Sequence, residues 1–300
     1  MARRAQNVFG GLACLAGGAQ LHTRENLELL GGRIDTSSLA EDTVTTLKTQ
    51  IDGRKVVFEG NATVWAEEPE DLVGLWKQRL RWGRGNVQVS LQFADVWGRW
   101  RRFPHIGGLV FGFIWFTILL MPLLMIGTSL GLVGLYFVDT ETAWWLFRYY
   151  WVWNAVVYLF TLLLTLSVDP ETGQYAWFQG LLFPGVISLV IIIYSIYPGY
   201  FDTQLESIAR TYGHTVGFDI VMAVTLFMYL WASFCMVIAY GAKAISHVPR
   251  LRWLASLLLY IAGYGPFLCA VTFASYVKEI ANKSARWDKT IKTGKVAIRA

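Results

Sequence analysis

Four long runs almost free of charge constrain this chain more than any other feature. A hydrocarbon core about 30 Å thick needs about 20 consecutive apolar residues in a helix, and residues 107–138, 144–166, 178–197 and 217–242 each reach that length. They predict membrane-spanning helices. The chain is 55% hydrophobic and only 16% charged, too apolar for an ordinary soluble domain. The first run is longer than one span needs, and Pro122, Gly127 and Gly131 permit a tilt or kink in it. Trp144, Trp145, Tyr149, Tyr150, Trp151 and Trp153 crowd the start of the second run, as an aromatic belt at headgroup depth would. A fifth apolar run, 253–276, is interrupted by Ala262-Gly263-Tyr264-Gly265-Pro266. Each half is too short to cross, so a re-entrant or interfacial hairpin is expected.

Charge placement orients the runs. Lys77, Arg79, Arg81, Arg84, Arg99, Arg101 and Arg102 precede the first one against a lone Asp95, and lysine and arginine return after Val277. The positive-inside rule puts both ends in the cytoplasm, which predicts a multi-pass protein of the cell (inner) membrane with a cytoplasmic basic tail, 278–300. Membrane flanks account for the basic clusters, so no nucleic-acid partner is expected. The opening "MARRAQNVFGGLACLAGGAQ" has the outline of an export leader, but export would place the arginine cluster on the wrong face. Cys14, Cys235 and Cys269 lie far apart without ligand spacing, so neither a disulfide framework nor a cysteine-held metal is predicted.

Residues 1–104 mix charge and hydrophobics as a soluble block does. "RENLELLGG" reads as a helix ended by glycine, and "KVVFEGNATVWAEEP" as one or two short strands, so an α/β block is expected over 1–74. Such a block is small for burying its own core and should lean on something else. Over 75–104, Val89, Phe93, Trp97 and Trp100 recur at helical spacing and predict an amphipathic interface helix. The apolar region then extends over 105–277, with about four spans plus the hairpin. Asn61-Ala62-Thr63 fits a glycosylation pattern that a cytoplasmic segment would never expose to the machinery.

Three stretches hold residues suited to chemistry. In "LWKQRLRWGRGNVQ", Gln78, Arg81 and Trp82 stand at i, i+3 and i+4, on one helix face. A guanidinium pairs with phosphate, an indole offers a platform to a sugar ring and an amide reads a hydroxyl. The plain alternative is a juxtamembrane anchor. In "SSLAEDTVTTLKTQ", Ser38 and Glu41 fit a capping box, while Glu41 or Asp42, ionised at a helix start, would serve as a general base. In "LAGGAQLHTRENLELLGG", Gly17 and Gly18 allow close backbone approach to a ligand, or form a plain turn. A lone His22 reads as a satisfied surface residue.

The order glycine pair, acidic pair, Q-R-L-R-W, then apolar spans resembles the processive family 2 glycosyltransferases, which include cellulose, chitin, hyaluronan and poly-N-acetylglucosamine synthases. The match is full at Gln78-Arg79-Leu80-Arg81-Trp82, while Glu41-Asp42 follows Ala40 where the family often has threonine. The ending "RWDKTIKTGK" is similar to the basic tail of many bacterial members. The resemblance implies an α-helical membrane domain preceded by a partial α/β, GT-A-like cytoplasmic segment with an interfacial amphipathic helix. It implies Asp42 as catalytic base with Glu41 beside it, and Gln78, Arg81, Trp82, Gly17 and Gly18 as substrate-binding residues. The partners implied are a nucleotide sugar, a polysaccharide acceptor and the bilayer.

The family's acidic uridine motif and its metal-holding D-x-D do not precede Gly17, and Asp35, Asp42 and Asp52 are too far apart to replace the latter. The expectation is therefore the C-terminal portion of such an enzyme, inactive alone. A divalent cation, Mg²⁺ or Mn²⁺, would come with the donor-binding half, carried by further sequence or by a partner chain. The alternative is a non-catalytic channel or scaffold subunit of a polysaccharide synthesis or export complex.

Overall fold

The computed structural model describes residues 3, 6–7, 10–15, 17–60, 62, 64, 66–168, 170, 173–175, 186–197, 203, 207 and 218–284. The chain divides into two compact units, one of Met1–Met121 with Val271–Ala300, the other Pro122–Ala270.

In the first unit, helix α1 (Arg24–Leu29) starts at Thr23, whose hydroxyl accepts from Asn26 N at 3.1 Å. It stops as expected at glycine, where Gly31 and Gly32 adopt φ of 89° and 70°. Helix α2 (Glu41–Ile51) buries Val44 and Leu47. The predicted capping box does not form. Ala40 is the N-cap, and the Ser38 hydroxyl accepts from Ala40 N (3.1 Å) and donates to Gly85 O (3.5 Å). Ser38 serves the turn because Leu39 and Ala40 are held against the following helix.

That helix, α3 (Leu72–Gln92), is capped by Asp71, which accepts from Gly74 N at 2.6 Å. The amphipathic helix expected beyond Val89 is corrected: helical structure ends at Gln92, and a turn-rich segment with Gly98 at φ 77° follows. The turns let Trp97 stack on Trp115 (centroids 5.5 Å) and donate to Ser90 O at 2.9 Å, a docking that a continued helix would prevent. Among the described residues of 55–69 no strand forms. A strand needs a ladder partner, and Phe58 N donates instead to the Asn7 side chain at 3.0 Å. Residues 61, 63 and 65 lie outside the described residues, and with them most of the glycosylation triplet.

The core of this unit joins Val44, Leu47, Val89, Val96 and Ile106 to Phe111 and Trp115. The last two belong to α4 (Leu109–Val138), so the small polar block completes its core with the first apolar helix, as surface-to-volume scaling requires.

The second unit holds the rest of α4, α5 (Thr140–Val168), α6 (Val186–Ile196), α7 (Phe218–Ser246), a 3₁₀ turn (Pro249–Leu251) and α8 (Arg252–Ala262). Its core includes Leu132, Phe147, Trp151, Ile191, Tyr229, Trp231 and Cys235. The aromatic row of α5 is shared between two tasks. Trp151 is buried in this core, whereas Trp145, Tyr149 and Trp153 are exposed and remain available to headgroups.

Leu109–Val138, Thr140–Ser167 and Met222–Ser246 are long and apolar enough to cross a membrane, with mean hydropathies of 2.5, 1.4 and 2.0. The chain has the make-up of a membrane protein. Helices α8 and α9 (Tyr264–Ile280) meet at 101°, at the break foreseen in the fifth run, where Gly263 has φ 86°. By length and composition the pair is a broken span or a re-entrant loop. The run 178–197 is described only from Val186, and the "RWDKTIKTGK" tail lies outside the described residues.

Candidate functional site

The start of α2 forms one wall of an open cleft of about 440 Å³, lined among others by Gly17, Gly18, His22, Ile34, Glu41 and Asp42. Gly17 is pressed on the acidic pair: a Cβ there would sit 3.1 Å from Asp42 Oδ2, so a larger residue would crowd the carboxylate. The other oxygen, Oδ1, accepts from Thr43 N at 2.8 Å, which fixes the Asp42 side chain. Burial pushes the Glu41 carboxyl above its usual range. The charge of Asp42 adds to this, while a bond to its own backbone and the charge of Arg81 oppose it. Glu41 therefore keeps a proton to higher pH than a free carboxylate does.

Two further groups near the cleft are quiet. Burial, and after it the charge of Asp42, pushes the Cys14 thiol up to about 12, so it remains protonated and poorly nucleophilic. His22 has both ring nitrogens engaged, with Gln20 Oε1 at 3.0 Å and Asn26 Nδ2 at 3.1 Å. It is the satisfied residue that the sequence suggested.

Helix α3 is fastened to the segment just ahead of the acidic pair. A Cβ at Gly85 would lie 2.6 Å from Ala40 Cβ and 2.9 Å from Ala40 N, so only glycine permits this approach. Gln88 Oε1 accepts from Leu39 N at 3.0 Å, and Arg81 Nη1 donates to Leu39 O at 3.4 Å. Gln88 Nε2 reaches both Glu279 oxygens at 3.3 Å, and Glu279 also pairs with Arg84. Arg84 is buried and donates to Lys283 O (2.6 Å) and Ser284 O (3.1 Å), which ties down the segment that follows α9. Gly83 faces α9 as well, where a Cβ would meet Ser275 Cβ at 3.2 Å.

Gly17, Gly18, Glu41 and Asp42 thus share one cleft. Arg81 is tied to its approach through Leu39, and its charge is felt at Glu41. Gln78 and Trp82 are not among the residues lining the cleft. Gln78 is buried, and its Oε1 has no hydrogen-bond partner among the described residues. Trp82 is half-exposed, with the Arg79 guanidinium over its ring at 4.1 Å.

Sequence reasoning missed Gly85, Gln88 and Glu279, and counted Arg84 in the basic cluster that flanks the first apolar run. The signal for Arg84 was its position between Gly83 and Gly85, since small neighbours let other backbone close over a side chain. Its acceptors lie about 200 residues away in sequence and no local pattern reports them. Among the described residues no group of three metal-ligating side chains occurs.

Over 178 residues, 58% of its length, the chain is 28% identical to "Probable glycosyltransferase YdaM" of Bacillus subtilis (strain 168), covering 42% of that protein. Over 102 residues, 34% of its length, it is 31% identical to "Poly-beta-1,6-N-acetyl-D-glucosamine synthase" of Staphylococcus aureus (strain COL), covering 24% of it. The chain spans less than half the length of these relatives. No protein-family model and no solved structure matches it. The chain is thus similar to one protein named a probable glycosyltransferase and to one named a polysaccharide synthase.

Proposed function

We propose that the chain forms the acceptor-side portion of a membrane glycosyltransferase that lengthens a polysaccharide from a nucleotide-sugar donor. The observation that carries this reading is the joining of the glycine pair and the acidic pair in one cleft, with the motif-bearing helix α3 bound to the same segment through Leu39 and Ala40. In this reading Asp42 removes the proton from an acceptor hydroxyl. The hydroxyl oxygen attacks the anomeric carbon with inversion, and the nucleoside diphosphate leaves, its charge compensated by Arg81. The unpartnered Gln78 amide oxygen supports a role in reading a sugar hydroxyl, because a buried acceptor left alone costs about 1–3 kcal/mol. Trp82 would stack on the acceptor once Arg79 leaves its ring. A divalent cation bound with the donor would neutralise part of the diphosphate charge.

The α/β, GT-A-like surroundings of this cleft, the transport of the polymer by the apolar helices, and a cytoplasmic face in the inner membrane belong to the same proposal. So does dependence on a donor site supplied by further sequence or by a partner chain. The rival reading, a non-catalytic subunit that binds the polymer, draws on the absence of Gln78 and Trp82 from the cleft lining.

One experiment separates the two readings: sugar incorporation into polymer by membranes carrying the full-length protein and its Asp42→Asn variant. Loss of a general base lowers the rate by about 10²–10⁴-fold, and equal incorporation in both would remove Asp42 as the base.

A further inference from the structure

A second cleft in the first unit is chemically unlike the acidic one. It has a volume of about 350 Å³, and its walls include Gln6, Trp100, His105, Leu109, Phe111 and Ile114, a size typical of small-ligand pockets. Two glycines let the N-terminal segment press on its His105 and Phe111 walls. A Cβ at Gly10, which has φ 78°, would lie 2.8 Å from His105 Nδ1, and one at Gly11 would lie 3.0 Å from His105 O and 3.3 Å from the Phe111 ring. Two larger residues would hold the N-terminal segment away and open the slot.

The cleft lies where α4 begins. Leu109 is 84% exposed and Phe113 73%, so the first turns of a helix with mean hydropathy 2.5 present bare hydrocarbon beside it. Its Trp100 wall carries the Arg101 guanidinium over the ring at 5.3 Å, and Arg102 stands over Phe103 at the same distance. Arg99 pairs with Asp95 at 2.9 Å. Among the described residues Arg101 and Arg102 have no carboxylate within ion-pair distance, and both are exposed.

We propose that this cleft binds an anionic phospholipid of the surrounding bilayer, with an acyl chain between Trp100 and Ile114 and the phosphate paired to Arg101 and Arg102. A largely apolar slot at the start of an apolar helix, with Arg101 over its Trp100 wall and Arg102 next in the chain, matches a molecule with an anionic head and an apolar tail. A free phosphate would use the arginines and leave the slot without a role. A glycan would find few hydrogen-bonding groups on these walls.

The test uses the purified full-length chain, stripped of lipid and offered vesicles of phosphatidylcholine with or without phosphatidylglycerol, with retained lipid counted by native mass spectrometry. Phosphatidylglycerol is retained in preference to phosphatidylcholine. Arg101→Gln and Arg102→Gln each weaken retention about fivefold, while the double lysine variant keeps it. Ile114→Trp fills the slot and abolishes retention with both arginines in place. Unfolding temperatures in lipid-free detergent, measured in parallel, identify any variant that fails to fold, and the lysine variant then carries the charge test. Equal retention of the two lipids, unchanged retention in the double glutamine or the Ile114→Trp variant, or displacement by inorganic phosphate would each overturn the proposal. The readout is bound lipid, so the result stands whatever becomes of the sugar-transfer reading.

Discussion

The two units hold their key residues by different physics. Around the acidic cleft of the first, positions are set by directional polar contacts: Gln88 on Leu39, Arg84 on Glu279 and the segment after α9, and Thr43 on Asp42. In the second, rings set them. Phe147 packs on Tyr229 at 4.9 Å and Trp144 on Tyr194 at 5.5 Å, and Trp231 adds a single bond to Ser188 at 3.1 Å. Lipid is as apolar as leucine, so helices inside a bilayer gain from shape and close packing more than from burial itself. Shape tolerates substitutions that conserve volume, whereas a polar contact that loses one partner leaves the other desolvated and unmet. The first unit should therefore be brittle and the second forgiving.

The largest expected effect tests that contrast directly. Arg84 is buried, its side chain 8% exposed, against a Glu279 side chain 20% exposed. Arg84→Ala leaves the half-buried Glu279 carboxylate with the Gln88 amide but no cation and releases the segment after α9, at a cost of about 3 kcal/mol. Replacing both partners, as Arg84→Met with Glu279→Leu, should restore most of the loss, because apolar pairs of similar volume substitute well for buried ions. Phe147→Leu in the second unit, fully buried, should cost about 1–2 kcal/mol. Thermal unfolding in detergent reads all three, and a Phe147→Leu loss as large as that of Arg84→Ala would break the comparison.

A glycine pair sharpens it at smaller scale. Gly85→Ala puts a methyl 2.6 Å from Ala40 Cβ, which overpacking makes worth about 1–3 kcal/mol, and any relief moves the residue next to Glu41. Gly131, inside α4, has nothing within 4 Å of the place an added methyl would take, so Gly131→Ala should gain about 0.5–1 kcal/mol of helix propensity. Opposite signs for the same substitution are expected in the same unfolding assay. Equal signs would mean that α3 does not approach Ala40 as closely as the 2.6 Å separation requires.

How far the sequence reveals these features follows from the same difference. Apolar length and helix-breaking clusters are local, so α4, α5, α7 and the break at Gly263 could be read directly. The motif Gln78-Arg81-Trp82 and the pair Glu41-Asp42 stand out through the resemblance to a family, since the residues alone leave an anchor and a helix start equally open. The stripe Val89, Phe93, Trp97 was also legible as an apolar face, and Val89 with Phe93 and Trp97 does meet one core. Its conformation was not, because the indole of Trp97 gains more by stacking on Trp115 through a turn than a helix would allow. The capping box failed for a related reason. Ser38 is diverted by contacts with α3, 47 residues away in sequence. Arg84 and Glu279, 195 residues apart, are legible only in three dimensions.

The smallest effect marks the lower bound for polar contacts in the first unit. Ile34 lines the acidic cleft, and its neighbour Asp35 pairs with Lys48 at 2.5 Å. Bonds from Lys48 and Ser37 hold the Asp35 carboxyl down to about 2, below its ordinary 3.8. A carboxyl with a depressed folded-state value contributes stability above its ordinary value and loses it as pH falls toward the folded one, so the window is about pH 4 to 2. The side chains are 39% and 26% exposed, so solvent screening keeps the contribution under about 1 kcal/mol. Between pH 5 and 2.5 the wild type should therefore lose slightly more stability than Asp35→Asn, and 1 M salt should narrow the gap as the Debye length falls to about 3 Å. Identical acid slopes would show that this exposed tie adds nothing, which leaves brittleness in the first unit to its buried contacts, those of Arg84 and Gln88 among them.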